Sequence, residues 1–280
     1  MNAPIDAGAR FRALHVPGEP FTLANAWDVG SARVLVALGA RAIGTTSAGH
    51  AFTLGRPDGG TVRRDEALAH GAELVRAVDV PVSADLENGF DASPDEVAET
   101  VRLAAGVGLA GLSIEDVDLP SDDPYPFELA VERVRAGVAA ARALDRDLVF
   151  CARADGLMHG RYGIDEAVRR IEAFDAAGAD CLYAPLPGTL EDLERICRCT
   201  AKPVNALVAG PFWTGVTRAR LAAAGVARLS LGSSLARVAH RALVEAGRAA
   251  LVDGDHATLG DAADGGAVGD LLRAGTPRAD

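Results

Sequence analysis

Eight short apolar runs recur along the chain, at 21–26 (FTLANA), 42–47 (AIGTTS), 81–87 (PVSADLE), 111–117 (GLSIEDV), 148–154 (LVFCARA), 181–186 (CLYAPL), 203–208 (PVNALV) and 228–232 (RLSLG). Each is followed by a helical pattern and a glycine or Asp/Asn turn, the alternation of successive βα units with parallel strands. The segment 95–107 shows the helical half: Val97, Val101 and Ala104 or Ala105 recur at helical spacing, and Ser93-Pro94 supplies an N-cap and a first-turn proline. Gly39, Gly108, Gly178 and Gly225 fall where four helices should stop, just before the next strand. Eight such units predict an α/β chain closed as a (β/α)8 TIM barrel, a fold of about 250 residues in one domain. The rival, an open doubly wound sheet for nucleotides, wants a glycine-rich loop after the first strand, and Asn25-Ala26-Trp27-Asp28-Val29-Gly30 is not GxGxxG.

The barrel is expected over 1–254, opening with a short lead-in helix at 9–17 and ending in a long helix at 233–252 with Leu235, Val238, Ala242, Leu243 and Ala246 on one face. Residues 255–280 read as a partly flexible C-terminal extension, frayed from Gly275 to Asp280. The net charge of −11 repels phosphate backbones and anionic lipid, and no basic patch offsets it, so neither nucleic acid nor membrane is an expected partner. Met1 to Asp6 lacks the basic start and apolar core of a signal peptide, and no run approaches the roughly 18 apolar residues of a membrane span. A cytoplasmic location follows as an expectation. Cys197-x-Cys199 has the wrong spacing for zinc, and Cys151, Cys181, Cys197 and Cys199 read as reduced and structural. Lys202 is the one lysine and stands before Pro203 at the start of a strand, the end of a barrel away from the chemistry, which argues against Schiff-base mechanisms.

Barrel active sites lie at the C-terminal strand ends. The third run ends Asp85-Leu86-Glu87, and strand alternation aims both acids into the mouth; the fourth adds Glu115 beside them. Carboxylates so clustered raise one another's pKa unless a cation sits among them, and hard oxygen donors without His or Cys point to Mg2+ or Mn2+. Solvated strand-end charges are the plain alternative. The fifth run places Arg153 inward at the mouth, where its fork would suit a substrate carboxylate or would balance Asp85 and Glu115. Thr46, Ser47 and Ala48 stand at the end of the second run, where small or hydroxyl residues let backbone N–H groups approach a carboxylate or phosphonate. His50, His159 and Tyr162 lie in loops at this end and are candidate acids or bases.

The ordered set Asn25-Ala26-Trp27-Asp28, Thr45-Thr46-Ser47-Ala48-Gly49, Leu54-Gly55-Arg56-Pro57-Asp58-Gly59, Ala84-Asp85-Leu86-Glu87, Glu115-Asp116 and Ala152-Arg153-Ala154-Asp155 resembles the isocitrate lyase/phosphoenolpyruvate mutase superfamily over residues 10 to 250. The resemblance implies Mg2+ held at Asp85, Glu87 and Glu115 and chelated by a 2-oxo acid. It also implies Arg153 on the substrate carboxylate, hydrogen bonds to it from the Thr46–Ser47 segment, and a catalytic Asp58 in a closing loop. Members are usually tetramers whose last barrel helix packs on a neighbour, which makes 233–252 the candidate for that exchange.

The chain departs from the pattern at informative places. Lyases of the superfamily carry a cysteine-bearing lid after the fourth strand, and here the segment is Asp116-Val117-Asp118-Leu119-Pro120-Ser121-Asp122-Asp123-Pro124. Their sixth-strand Glu is replaced by the stretch Ala184-Pro185-Leu186, their Thr after the arginine by Ala154, and a metal-site Asp by Glu87. Cleavage of isocitrate or methylisocitrate is therefore disfavoured. The leading expectation is loss of CO2 from an oxaloacetate-like acid through a metal-bound enolate, which needs no strong base to start it. Mutase or hydrolase chemistry at the P–C bond of phosphonopyruvate is the alternative, and a 2-oxo acid binding protein without turnover is the reading from another class.

Overall fold

A strand stands at each of the eight apolar runs: β1 (Phe21–Ala26), β2 (Ile43–Thr45), β3 (Val82–Asp85), β4 (Gly111–Glu115), β5 (Val149–Arg153), β6 (Cys181–Tyr183), β7 (Val204–Leu207) and β8 (Arg228–Ser230). In the computed structural model, which describes residues 6–277, they form a closed parallel barrel in the order β1-β8-β7-β6-β5-β4-β3-β2. Several runs are longer than their strands at the C-terminal end, because there the backbone leaves the ladder: Glu87 and Leu186 have φ of 48° and 49°. Around the barrel lie α1 (Ala7–Ala13), α2 (Val29–Ala37), α3 (Ser47–Thr53), α4 (Arg64–Ala77), α5 (Pro94–Gly106) and α6 (Phe127–Arg142). The series continues with α7 (Ile164–Ala176), α8 (Leu190–Arg198), α9 (Gly210–Thr214), α10 (Arg218–Ala223), α11 (Ser234–Arg248) and α12 (Gly265–Ala274). Ser93 caps α5 by accepting from Asp95 N at 3.3 Å. The helix-stop glycines Gly39, Gly108, Gly178 and Gly225 all take positive φ, the conformation glycine adopts at least cost.

Between strands and helices sits a continuous apolar core in which Ile43, Leu112, Phe150, Phe174 and Leu182 are fully buried. A smaller cluster closes the lower end: Phe11 of α1 fills the space a side chain on Gly111, the first residue of β4, would need. Gly44, Ser83 and Ser113, on β2, β3 and β4, line a cavity where barrels usually carry layers of bulky branched residues. The long helix expected at 233–252 is α11 followed by a π-helical turn over Ala249–Asp253. Within the stretch read as a C-terminal extension, α12 packs on α2, and Gly275 approaches so closely that a Cβ there would lie 1.9 Å from the Arg33 carbonyl oxygen. The last residues of the stretch read as frayed, 278–280, and residues 1–5, on which most of the N-terminal reading rests, lie outside the described residues. Among the described residues no helix is long and apolar enough to cross a membrane.

Candidate active site

Adjacent strands end in acid, acid and base: Asp85 closes β3, Glu115 closes β4 and Arg153 closes β5, with Glu115 and Arg153 paired in register. The β3 ladder stops at Asp85, so Glu87 arrives through a left-handed backbone step and not by strand alternation. Its carboxylate is fixed by Gly60 N, which donates at 3.1 Å, and its carbonyl accepts from Glu115 N at 2.9 Å. Burial, joined by Asp85 and Asp58, pushes the Glu87 carboxyl up to about 7. Burial also holds Glu115 well above the usual carboxylate range against the pull of Arg153, and raises Asp58. All four acids line one cavity of about 450 Å3 at the mouth.

Arg153 is nearly buried and committed to carboxylates. Its Nη1 lies 2.8 Å from Asp85 and 3.1 Å from Glu115, while Nε and Nη2 donate to the two oxygens of fully buried Asp155 at 2.9 and 2.6 Å. The fork of Nε and Nη2 faces Asp155 while Nη1 meets Asp85 and Glu115, and of five N–H groups one, on Nη2, stays uncommitted. Ser47 donates from Oγ (2.9 Å) and from its backbone N (3.3 Å) to Asp85, holding that carboxylate in place. Thr46 caps α3 through Gly49 N, and Ala48 lines the cavity from within α3, so the strand run read through Ser47 ends at Thr45 and a helix starts at Ser47.

The three candidate acids or bases separate. His159 lines the cavity, with Nδ1 3.4 Å from Asp122. Tyr162 is turned behind the strand ends, where its hydroxyl donates to Asp116 at 2.7 Å and Arg170 meets the same carboxylate at 2.9 Å. His50 does not line this cavity; it stacks on His70 of α4 with ring centroids 3.9 Å apart, and neither of its ring nitrogens has a hydrogen-bond partner. His50 departs because it lies in α3, and Tyr162 because its ring packs against Gly156 of the 3-10 turn Asp155–Leu157.

Other cavity residues escaped the sequence reading. Asn25 at the end of β1 donates to Thr45 O (2.7 Å) and accepts from Leu231 N and Gly232 N, tying three strands together at the rim. Tyr183, Asn205, Arg228 and Ser230 line the deeper part. Inward alternation, applied to β3, β4 and β5, would have found them on β6, β7 and β8. Two loops meet over the mouth, since a Cβ on Gly60 would lie 3.0 Å from Leu119 Cβ, and Leu119 belongs to the ribbon Val117–Asp118/Asp123–Pro124 that stands where the cysteine lid was sought.

Among the described residues no three metal-type ligands surround a single point. A small hard cation needs less, because Mg2+ keeps several waters and takes one or two carboxylates. The donors present fit it: oxygen ligands only, buried, mutually repelling and opening on a roomy cavity, the setting in which a dication would restore the ionised forms.

Fold and site together define a (β/α)8 barrel with an acidic, arginine-braced mouth. The phosphoenolpyruvate phosphomutase family model matches residues 11–251, and the chain belongs to that family, within the isocitrate lyase/phosphoenolpyruvate mutase superfamily. An oxaloacetate decarboxylase of Paraburkholderia xenovorans (strain LB400) is 33% identical over 233 residues, 79% of this chain and 75% of its own length. A 2,3-dimethylmalate lyase of Eubacterium barkeri is 30% identical over 200 residues, 69% of this chain and 68% of its own. A solved structure from Burkholderia cenocepacia J2315, described only provisionally as a lyase/mutase, superposes with a TM-score of 0.89 at 41% identity over 95% of each chain.

Proposed function

We propose that this chain is a divalent-metal-dependent lyase that cleaves a C–C bond of a small 2-oxo acid, with decarboxylation of an oxaloacetate-like acid as the leading reaction. The observation that carries the reading is the triad Asp85, Glu87 and Glu115 braced by Arg153 in one cavity of a chain related to lyases and mutases. Those three acids would hold Mg2+ or Mn2+, and the ion when bound supplies Lewis-acid polarisation of the keto and carboxylate oxygens. Ser47 and Arg153 keep Asp85 aimed at the cavity, and the uncommitted Arg153 N–H would be a charge-assisted donor for the substrate carboxylate. Asp58 and Gly60 on one side and Leu119 on the other would screen the mouth from water, and His159 on the cavity wall would return a proton to carbon. The reading includes a homo-oligomer, a dimer or tetramer, in the cytoplasm.

P–C bond chemistry is the second reading, favoured by the family model. Against it, Asp118, Asp122 and Asp123 on the ribbon over the mouth would repel a phosphoryl group. The deciding assay follows pyruvate from oxaloacetate, phosphate from phosphonopyruvate and glyoxylate or pyruvate from isocitrate and methylisocitrate, each after EDTA and again after Mg2+ is restored. Metal-restored pyruvate from oxaloacetate alone is the expected result. Turnover that survives rigorous chelation sinks the metal role, and tight binding of 2-oxo acids without turnover of any would make the chain a binding protein.

A further inference from the structure

Below the acidic mouth the cavity wall is carried by Tyr183 of β6, Asn205 of β7, and Arg228 and Ser230 of β8, all buried. Their hydrogen bonds run in one direction, and the donor inventory fixes which. Arg228 has no acceptor, so its Nε, 2.8 Å from Asn205, must donate, and the amide atom it meets must be Oδ1. The Asn205 Nδ2 group then lies on the other side, where it donates to Ser230 Oγ at 2.8 Å. An amide NH2 accepts nothing, so the single proton of Ser230 is left for its other partner, the Tyr183 hydroxyl. Tyr183 Oη accepts that proton and keeps its own, for which no acceptor stands among the described residues. Burial pushes the ionisation of the phenol above the ordinary tyrosine range, so the proton stays.

The relay begins on a charge, and a guanidinium at its head polarises the bonds that follow, strengthening the last O–H as a donor. Tyr183 is also in register with Arg153 of β5, whose guanidinium lies over the tyrosine ring 5.1 Å from its centroid. The uncommitted N–H of Arg153 and the free O–H of Tyr183 thus belong to neighbouring strand ends on one wall of the cavity. We propose that Tyr183 is a substrate-binding residue, its O–H aimed by the Arg228–Asn205–Ser230 relay at an anionic oxygen of the bound 2-oxo acid. The inference rests on the reading of the mouth as the site of that acid. A donor set before the ligand arrives has little orientational freedom left to lose on binding.

Oxalate affinity in the presence of Mg2+, measured by calorimetry, tests both the donor and its aim. Tyr183→Phe deletes the hydroxyl and keeps the ring under Arg153; oxalate should bind tenfold to a hundredfold more weakly, roughly the range of a hydrogen bond to a charged group. Asn205→Asp leaves the hydroxyl in place and reverses the relay. The carboxylate so introduced only accepts, so it takes the Arg228 N–H and the Ser230 proton; Ser230 must then accept from Tyr183, which turns its own proton away from the cavity. Oxalate should weaken here too. Because an added negative charge also repels oxalate, the two changes are combined. A loss that runs through Tyr183 shrinks to less than about twofold when Asn205→Asp is made in the Tyr183→Phe background, whereas plain repulsion keeps its full size there. Wild-type affinity in Tyr183→Phe overturns the assignment, and equal losses from Asn205→Asp in both backgrounds overturn the relay. Failure of oxalate to bind wild-type protein at all overturns the reading of the mouth, and the inference with it.

Discussion

His15 shows how one side chain can set the acid limit of the fold. Burial first, and then Arg228, depress its imidazole to about 3 against an unfolded value near 6.5. The unfolded chain therefore takes up a proton that the folded chain refuses, and the folded state loses stability as pH falls from about 6.5 towards 3, with no contribution from this group above that window. The slope from one group is at most about 1.4 kcal/mol per pH unit. Urea midpoints of wild type and His15→Gln between pH 6.5 and 4 should diverge in slope, the variant being flatter; parallel curves would refute the assignment. Arg153 makes a different demand, because buried Asp155 accepts two N–H groups from it and a lysine offers a single point of charge. Arg153→Lys should lose about 2–3 kcal/mol of stability and Arg153→Ala about 3–5, both read from denaturant unfolding. A lysine variant as stable as wild type would mean that the fork is free for substrate after all.

At the level of elements, the loop after α3 and the ribbon after β4 act on the site together. Gly59 and Gly60 both have positive φ, but a side chain on Gly59 meets nothing within 4 Å while one on Gly60 meets Leu119 at 3.0 Å. Alanine at either position carries a similar backbone penalty of about 1 kcal/mol, so the pair isolates the contact between loops. Gly60→Ala should lower kcat/KM for the active 2-oxo acid about tenfold further than Gly59→Ala, since Gly60 N also positions Glu87. Equal effects would show that the two loops do not close as a unit. The same region marks where sequence reasoning stopped working. Apolar content and flanking glycines made all eight strands legible, and alternation within β3, β4 and β5 placed Asp85, Glu115 and Arg153. Past the last ladder hydrogen bond that rule lapses: Glu87 reaches the cavity through a left-handed step, and Asp155, two residues beyond β5, folds back to take the arginine fork. His50 was lost for a related reason, since a short helix rather than a loop follows β2 and turns the ring toward α4.

For the whole molecule, α11 is the surface that asks for an explanation. Ala236 is its one buried residue, while Val238, Leu243 and Val244 are 55%, 68% and 63% exposed, and Leu251 and Val252 beyond it are more so. Exposed apolar side chains crowded on one helix suit a protein interface, and a second copy of the chain is the occupant proposed. Sedimentation should find an oligomer in wild-type protein and a shift toward monomer in Leu243→Glu/Val244→Glu; a wild-type monomer at micromolar concentration would refute it. The hollow barrel has a consequence of another kind, for how this protein can be improved or degraded by selection. Ser83 and Ser113 put small side chains on the cavity wall where other barrels pack bulky ones. A screen that rewards heat resistance alone should therefore favour larger apolar residues at Ser83 and Ser113, and the most durable descendants would be those with the deeper part of the cavity filled.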